Sequence, residues 1–557
     1  MIKFNEKTLI NLCIASSQKY KNRPAFAMFS EGQICRQITY EQMGIRARQL
    51  GMLLRQLGVK DGGKVMLLSE NCPEWPLAYF GIAFAGAVSV PLLTGFSGEQ
   101  IQHIASHADV SAICLSRPMM EKFGQQSGDF DFSRIPFIFI DSISGGEPSG
   151  SSLDKIAVSL GGAEKQLHFH LLEKEEAIPE QRQNDLATII YTSGTQGNSK
   201  GVMLSGKNII TSALSSIAFI NITPRDKLLS VLPLAHSYEC CLGLLAPVIN
   251  GASITFLDRP PSPSVLLPAL KIVRPSVMTS VPLLIEKIYR NSIAPKLRDN
   301  KLYKFPLTRP LAIKAAGRRL ISALGGRIRF FGIGGAPLSN EVESFLYRAR
   351  FPYAVGYGLT EAAPLVAGNK PNSFKFNSGS IPAKGVKFRV AKCAANDGVH
   401  AGGEGEIEVC GPNVMLGYYN DKEQTSEVIT CDGWLRTGDL GRLDNNGRLH
   451  IRGRLKALIL SPSGENIYPE EIEGLLGTSQ LIEDALVYSG EKGELIALVR
   501  LSDAAKAAAG AVEHALEELR TWANKKLAAF SRLSRIEIRY EPFEKTPTMK
   551  IKRYLYV

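Results

Sequence analysis

Short apolar runs alternate with segments of helical periodicity along most of the chain. Residues 64–69 (KVMLLS) and 186–192 are compact apolar runs next to glycine-rich or polar turns, which is typical of buried strands. Segments such as 38–57 carry apolar residues at helical spacing and end at a glycine. This alternation predicts an α/β fold in which parallel sheets are covered by helices.

The pattern changes in the last third of the chain. After Gly379, short strands are separated by Asp-Gly and Asn-Gly turns, which predicts a smaller β-rich lobe. After Arg454, helical and strand-like segments resume. We therefore predict a large N-terminal domain over residues 1–454, built from two layered α/β subdomains and the β-rich lobe. A small α+β domain is predicted over residues 455–557.

One uncharged stretch, residues 76–98, is long enough to cross a bilayer. Glycines and Pro91 interrupt it, however, and Val88 and Val90 add β-branched character. A buried helix that leads into a buried strand explains this stretch better than a membrane span does.

The composition is that of a globular protein. Of the 557 residues, 45% are apolar and 21% are charged, which excludes a disordered, collagen-like or coiled-coil chain. The net charge of +12 is consistent with a solvated basic surface, attraction to anionic lipid, or attraction to an acidic substrate. Because the chain has neither a dense Lys/Arg block nor basic residues interleaved with aromatic ones, we expect no nucleic-acid partner.

The cysteines and the N-terminus favour a reducing compartment. The nine cysteines show no CxxC spacing, and Cys240 and Cys241 are adjacent, which suits neither an ordinary disulfide nor a tetrahedral metal site. No signal peptide is visible. We expect a cytoplasmic protein, with peripheral association at the inner face of a membrane left open.

The most informative stretch is residues 189–201, IIYTSGTQGNSKG. Hydroxyl side chains, glycines and a lysine follow directly after a predicted strand, and such loops let backbone N–H groups approach phosphate oxygens. It is not a Walker loop, because the Gly-Lys pair is missing at the required spacing.

This loop resembles the YTSGTTGxPKG signature of the adenylate-forming (AMP-binding) superfamily, which includes acyl-CoA synthetases, luciferases and adenylation domains of peptide synthetases. The resemblance implies that the loop binds ATP and that Thr192, with a distant glutamate, holds Mg²⁺. Two positions, Gln196 and Ser199, depart from the signature. The implied ATP-binding residues of the loop are Thr192, Ser193, Gly194, Thr195, Gly197 and Lys200.

Two later motifs resemble the adenine-binding segments of the same family. Residues 332–339, GIGGAPLS, correspond to the adenine-site turn, and residues 356–361, GYGLTE, to the segment that follows it. The resemblance implies that Tyr357 stacks on adenine, Thr360 contacts the α-phosphate and Glu361 is the second magnesium ligand. The remaining implied nucleotide-site residues are Gly335, Ala336, Pro337 and Gly358.

Further motifs follow in the family's order. Residues 434–440, WLRTGDL, imply that Asp439 accepts hydrogen bonds from the ribose hydroxyls. Residues 451–456, IRGRLK, resemble the interdomain hinge, with Arg454 reaching the nucleotide and Lys456 at the pivot. In the segment 463–473, Gly464 would leave room for the pantetheine arm of CoA.

The last motif is residues 545–553, KTPTMKIKR, which resembles the catalytic-lysine motif of the mobile C-terminal domain. Lys550 would stabilise the charge that develops between the carboxylate and the α-phosphate, as a compact cation can. The family usually has glycine before this lysine, whereas this chain has Met549.

The implied substrate is a medium- or long-chain fatty acid. Residues 232–239, LPLAHSYE, resemble a segment of the fatty acyl branch, in which His236 would lie near the carboxylate. The apolar run 240–249 that follows fits an acyl-binding wall and ordinary core packing equally well.

The implied reaction forms acyl-AMP and then acyl-CoA. Two alternatives stay open: a stand-alone ligase that loads an acyl carrier protein, and a non-catalytic protein that binds acyl chains or nucleotide. CoA is the favoured acceptor, because stand-alone ligases typically carry an inserted segment that blocks domain rotation, and none is obvious between Glu361 and Arg454. The sequence does not determine the oligomeric state.

Overall fold

The computed structural model organises the chain around five sheets within the residues that it describes. Those residues are 6–124, 132–145, 153–160, 163–168, 178–192, 199–391, 403–461, 465–490, 493–506, 512–546 and 550–556. The helices within them are Leu9–Tyr20, Tyr40–Gln56, Glu74–Phe84, Gly98–Ala108, Arg117–Gly124, Gly206–Ile220, Ala246–Asn250, Pro263–Val273, Pro282–Ile288, Ala294–Asp299, Lys301–Lys304, Arg309–Ala323, Asn340–Arg348, Lys422–Val428, Pro469–Leu476, Asp503–Lys506 and Val512–Asn524.

The first sheet has nine strands, and its six central strands run parallel. Antiparallel strands close both edges. In spatial order the strands are Ile381–Pro382, Leu365–Gly368, Tyr353–Gly358, Phe330–Ile333, Val277–Ser280, Lys227–Leu229, Ser253–Leu257, Pro24–Ser30 and Gln33–Thr39.

The second sheet also has nine strands, with five parallel strands at its centre. In spatial order they are Gly417–Tyr418, Lys200–Ser205, Leu186–Thr192, Val88–Leu92, Lys64–Leu68, Val110–Leu115, Phe137–Gly145, Leu153–Leu160 and Ala163–His168. The largest buried cluster unites this sheet with the first one, since it includes both Ile190 and Ile254. The predicted layered α/β arrangement is therefore confirmed.

The uncharged stretch is a buried helix followed by a buried strand, as predicted. Every residue of the helix Glu74–Phe84 is buried, and so is every residue of the strand Val88–Leu92. Burial on both faces explains why neither element shows an amphipathic pattern. Among the described residues, no helix has the length and apolar character that a membrane span requires.

The predicted β-rich lobe is a four-stranded antiparallel sheet of Lys387–Ala391, Gly405–Cys410, Leu435–Leu443 and Leu449–Arg454. In its last two strands, Asp439 lies directly opposite Arg454. The lobe thus places a carboxylate and a guanidinium side by side at the end of the sheet.

The last hundred residues have their own core. The strands Ile459–Leu460 and Asn466–Ile467 form one small sheet, and Ile482–Ser489, Leu495–Leu501 and Arg535–Ile538 form another. Ile472, Val487 and Leu516 belong to a buried cluster whose members all come from residues 467–533. The boundary between residues 454 and 455 stays a prediction.

Candidate active site

The predicted phosphate loop is flanked by two strands that pair with each other. Leu186–Thr192 runs antiparallel to Lys200–Ser205, and Thr192 lies opposite Lys200. A Cβ atom on Gly201 would come within 2.9 Å of the Ile189 side chain, so the close pairing favours glycine there. The predicted phosphate contacts of Ser193, Gly194, Thr195 and Gly197 lie outside the described residues.

Glu361 reaches the same strand pair through Tyr418. Tyr418 pairs with Val202 in the adjacent strand, and its hydroxyl donates to Glu361 Oε1 at 3.0 Å. Lys200 Nζ lies 5.1 Å from the centre of the Tyr418 ring. The fold therefore connects Thr192, Lys200 and Glu361, which are far apart in sequence.

The donor set of this region fits Mg²⁺ bound together with substrate phosphates. Within the described residues, no group of three or more His, Cys, Asp or Glu side chains could hold a metal ion. A single carboxylate and a threonine hydroxyl match the coordination preference of Mg²⁺, which keeps several water ligands and takes others from phosphate oxygens. Thr192 and Glu361 are the residues that would hold it.

The predicted adenine turn follows the strand Phe330–Ile333. Gly335 has a φ of +86°, a left-handed conformation that favours glycine, and a Cβ on Gly334 would lie 3.3 Å from the Tyr238 ring. Gly335, Ala336 and Pro337 are exposed, which leaves the turn accessible to a ligand. At Gly358 a Cβ would overlap the carbonyl oxygen of Pro364, so this position has no space for a side chain.

Asp439 is the centre of a hydrogen-bonded cluster. The Tyr357 hydroxyl donates to Asp439 Oδ2 at 2.7 Å, and Arg454 Nε lies 2.8 Å from Oδ1. Burial raises the pKa of Tyr357, and the charge of Asp439 raises it further. A carboxylate has about four lone-pair positions, so two occupied ones leave capacity for a ligand's hydroxyl groups.

Arg454 keeps its charge in this cluster. Burial is the largest influence on the pKa of Arg454 and acts to lower it, but the charge of Asp439, with smaller contributions from nearby acidic groups, outweighs burial, so the pKa is raised. Thr360 follows Tyr357 in the segment 356–361, and its hydroxyl oxygen is 3.3 Å from Ser237 Oγ. Thr360 thereby connects the predicted nucleotide segment to the segment that carries His236.

Lys550 lies within electrostatic reach of both segments. Desolvation lowers its pKa, and the positive charge of Arg454 lowers it further, whereas Glu470 and Asp439 oppose the shift. Burial lowers the pKa of His236 to about 4, and the charge of Lys550 contributes to that decrease. Lys550 thus lies within electrostatic reach of Arg454, Asp439 and His236, and the roles assigned to these residues stay predictions.

His236 is a neutral imidazole of defined orientation. The backbone N–H of Tyr238 donates to His236 Nδ1 at 3.2 Å. Because an accepting Nδ1 carries no proton, Nε2 carries it in the neutral ring. His236 can therefore donate one hydrogen bond from Nε2 without bringing a positive charge.

The backbone around Lys550 is fixed to the carboxy-terminal sheet. The Lys550 carbonyl accepts from the Thr546 N–H at 2.7 Å, and the Lys550 N–H donates to Thr546 Oγ1 at 3.2 Å. On either side, Lys545 pairs with Asp484 at 2.7 Å and Arg553 pairs with Glu473 at 2.6 Å. Met549 lies outside the described residues.

The predicted hinge residue Lys456 lies at the end of the lobe. Lys456 is exposed in the short helical turn Leu455–Ala457, directly after the lobe strand that ends at Arg454. Gly464 lies outside the described residues. The roles assigned to both stay predictions.

Sequence reasoning gave Glu239 no role. It is fully buried, and Ser230 Oγ and Thr279 Oγ1 donate to its two oxygens at 2.6 and 2.5 Å. Among the described residues no cation pairs with it, and burial raises its pKa to about 7. The sequence feature that could have indicated a buried carboxyl group is the position of Glu239 directly before the uncharged run 240–249.

Glu239 begins the π-helix Glu239–Leu245, a rare form often found at functional positions. A Cβ on Gly243 would overlap the Glu239 carboxyl group, so the wide helical turn closes around that side chain. Asn71 holds the preceding segment, since its side chain donates to Leu232 O and accepts from the Leu234 N–H. These contacts fix the segment that carries His236.

The comparisons with known proteins agree with this geometry. Residues 14–419 match the family model described as AMP-binding enzyme. The chain therefore belongs to the AMP-binding enzyme family, and the resemblance drawn from its motifs is confirmed.

Relatives in sequence are named as acyl-CoA ligases. The chain is 28% identical over 550 residues to the long-chain-fatty-acid–CoA ligase heimdall of Drosophila melanogaster, covering 90% of this chain and 77% of the relative. It is 30% identical over 496 residues to the peroxisomal long chain acyl-CoA synthetase 6 of Arabidopsis thaliana, covering 83% and 68%.

Solved structures show the same fold at lower identity. A benzoate CoA ligase from Burkholderia xenovorans superposes with a TM-score of 0.75 at 20% identity, covering 98% of this chain and 99% of that one. The O-succinylbenzoate coenzyme A synthetase of Bacillus subtilis, solved with ATP and magnesium ion, gives 0.72 at 22% identity, with 98% of each chain covered. At these identities the likeness establishes the fold and does not identify the acid.

Proposed function

We propose that this chain is an AMP-forming fatty acid–CoA ligase that activates a medium- or long-chain fatty acid. The observation that carries the proposal is the position of Lys550 within reach of Arg454, Asp439 and the neutral His236. A cation, a nucleotide-binding carboxylate and an uncharged donor are the groups that acyl-adenylate formation needs. The names of the sequence relatives support the fatty acid as substrate.

In the first half-reaction, a carboxylate oxygen of the fatty acid attacks the α-phosphorus of ATP. The new P–O bond forms as the bond to the bridging oxygen breaks, and pyrophosphate leaves with that electron pair. Asp439 holds the ribose, and Lys550 offsets the charge that develops on the α-phosphate oxygens. Bound Mg²⁺ would neutralise phosphate charge beside Thr192 and Glu361.

His236 suits the carboxylate end of the acid. A neutral imidazole can donate from Nε2 to one carboxylate oxygen and leave the other free to attack. A protonated imidazole would form a stronger ion pair and make the nucleophile less reactive. Its pKa of about 4 keeps it neutral at physiological pH.

In the second half-reaction, the CoA thiolate attacks the acyl carbonyl carbon, and AMP leaves as the C–O bond breaks. Lys550 must withdraw for the thiol to approach, and Lys456 lies in the turn Leu455–Ala457, at the proposed start of the carboxy-terminal unit. Replacing Lys456 by proline is expected to spare acyl-AMP formation and to slow thioester formation. An unchanged overall turnover would contradict the hinge role of Lys456.

Pyrophosphate release tests the proposal directly. The protein is incubated with ATP, Mg²⁺ and a panel of medium- to long-chain fatty acids, with and without CoA. CoA-dependent turnover with a maximum at one chain length supports the proposal. A single stoichiometric burst that CoA does not sustain indicates loading of an acyl carrier protein, and no release with any acid overturns it.

A further inference from the structure

Much of the net positive charge lies in one helical hairpin, residues 294–323. It contains eight basic residues and one acidic residue, a net charge of +7 out of +12 for the whole chain. The hairpin consists of the helices Ala294–Asp299, Lys301–Lys304 and Arg309–Ala323. The chain's basic character is therefore concentrated on a small part of its surface.

These cations have no acidic partners among the residues that the structure describes. None of the ion pairs between described residues includes a basic side chain of the hairpin. Lys301, Lys304, Arg309, Arg318 and Arg319 are exposed. A surface with this much uncompensated charge attracts anions over about a Debye length, roughly 8 Å at physiological salt.

Large apolar side chains lie among the cations. Leu307 is 94% exposed, Phe305 66% and Leu302 53%. Soluble proteins seldom expose several such residues side by side unless the patch contacts something. The hairpin thus combines two features that a simple solvated surface does not need.

The apolar turn, residues 305–308 between the last two helices of the hairpin, is an ordered structure. Thr308 Oγ1 donates to Leu302 O at 2.6 Å, and Arg309 Nε donates to Tyr303 O at 3.0 Å. The Arg309 guanidinium also lies 5.3 Å from the centre of the Tyr303 ring. These contacts hold the turn closed while Phe305 and Leu307 extend away from the protein.

The long helix of the hairpin has two distinct faces. Ala312, Ile313 and Leu320 are buried in the second core cluster. Leu311, Lys314 and Arg318 recur at spacings of three and four, so they share another face, on which Leu311 is 63% exposed. One face anchors the hairpin, and the other mixes cations with an exposed leucine.

We propose that the hairpin 294–323 docks the protein onto an anionic phospholipid bilayer. The cations pair with lipid phosphates, and Phe305 and Leu307 enter the boundary between headgroups and acyl chains. A bilayer provides anionic headgroups for the cations and, directly beneath them, an apolar layer for Phe305 and Leu307. Nucleic acid and acidic proteins match the charge but provide no comparable apolar layer for an extended turn.

Co-sedimentation with lipid vesicles tests the proposal, and it requires no turnover, so its result is independent of the proposed reaction. Vesicles with about 30% anionic phospholipid are compared with vesicles of neutral phosphatidylcholine, at low and high salt. The full-length protein is expected to bind the anionic vesicles and to be released by salt.

Two hairpin variants separate the electrostatic and apolar contributions. K301E/K304E is expected to lower the partition coefficient on anionic vesicles by at least about tenfold. F305S/L307S is expected to lower it by a similar factor and to make the remaining binding more sensitive to salt. All four side chains are exposed, so both variants are expected to fold, and thermal unfolding is the measurement that checks this.

The matched control is K370E/K525E, which changes the net charge equally at two exposed lysines outside the hairpin. It is expected to retain binding within about threefold, because screening limits the range of each charge. Equal loss in control and hairpin variants overturns the proposal. So does a lack of binding by the unaltered protein, equal binding to neutral vesicles, or hairpin-dependent binding to nucleic acid in place of vesicles.

Discussion

Two buried carboxyl groups of this protein have opposite surroundings. Asp439 lies between the guanidinium of Arg454 and the hydroxyl of Tyr357, within electrostatic reach of Lys550. Glu239 is buried as deeply, yet only the hydroxyls of Ser230 and Thr279 contact it. The first carboxyl group has a compensating cation, and the second has none among the described residues.

The proposed function explains this difference by the ligand that each region would bind. A nucleotide brings several negative charges, so its site gains from cations held in place, and Asp439 orients one of them. In the proposed function, the segment around His236 faces an acyl carboxylate and an apolar chain, where fixed charges would remain desolvated at a high cost. Burial accordingly raises the pKa of Glu239 to about 7 and lowers that of His236 to about 4.

Removing the Lys550 cation has the largest expected effect on the charged region. Lys550→Ala is expected to slow acyl-AMP formation by at least about 10²-fold, since a lost charge stabiliser typically costs that much. Thioester formation from supplied acyl-AMP should remain near normal. Lys552→Ala removes a neighbouring lysine that pairs with Glu544 and serves as the control. Equal loss in both half-reactions would contradict the role given to Lys550.

Neutralising the fixed carboxylate comes next. Asp439→Asn is expected to raise the KM for ATP by about 10- to 100-fold, the value of one or two charge-assisted hydrogen bonds. The effect on the fatty acid KM should be much smaller. Asp432→Asn removes an exposed carboxylate of the same lobe, and it is expected to change neither KM. A larger effect on the acid than on ATP would place Asp439 outside the nucleotide site.

The apolar region should reveal itself in the pH dependence of stability. Between about pH 4.5 and pH 7, Glu239 is ionised in the unfolded chain and protonated in the folded one. The folded state then binds more protons, so the free energy of unfolding falls as pH rises through this window, by about 3 kcal/mol in all. The loss is complete above pH 7.

Glu239→Gln removes this titration. The midpoint of thermal unfolding, compared at about pH 5 and about pH 8, should fall less for the variant than for the unaltered protein. Glu427→Gln changes an exposed glutamate and should behave like the unaltered protein. Identical pH dependence in all three proteins would mean that Glu239 is ionised in the fold.

The smallest expected effect concerns the hydroxyl that connects Tyr357 to Asp439. Tyr357→Phe keeps the ring and removes one hydrogen bond of about 1 kcal/mol, so the KM for ATP should rise about fivefold. Tyr357→Ala should cost more, because the predicted stacking on adenine is lost as well. If both variants behave alike, the ring does not contact the base.

The sequence predicted the centres of the sheets better than their edges. Central parallel strands such as Lys64–Leu68 and Val88–Leu92 are continuous apolar runs, and such runs are legible without knowledge of their partners. The hairpin of Pro24–Ser30 and Gln33–Thr39 was not predicted. It joins the first sheet beside Ser253–Leu257, more than 200 residues away in the chain, and local periodicity does not reveal such a contact.

The same contrast holds for the candidate site, where single residues were predicted but the contacts between them were not. Motif resemblance predicted Asp439, Tyr357 and Lys550 as separate site residues, but the hydrogen bond between Tyr357 and Asp439 spans 82 residues and is visible only in the fold. Glu239 carried no motif role, and its burial follows from strands that arrive from distant segments. The basic residues of the hairpin 294–323 are spread over 30 positions, and the structure was needed to show that most of them are exposed beside exposed apolar side chains.

The anchoring of Lys550 has a consequence for the speed of the enzyme. Lys545 pairs with Asp484 of the carboxy-terminal sheet, and Arg553 pairs with Glu473 of the helix Pro469–Leu476, so the withdrawal that we propose for Lys550 would reorient this whole unit. Motions of this size displace solvent and typically take microseconds to milliseconds. Once chemistry is faster than that reorientation, the friction of the medium sets the pace, and added glycerol or sucrose should slow turnover in proportion to viscosity.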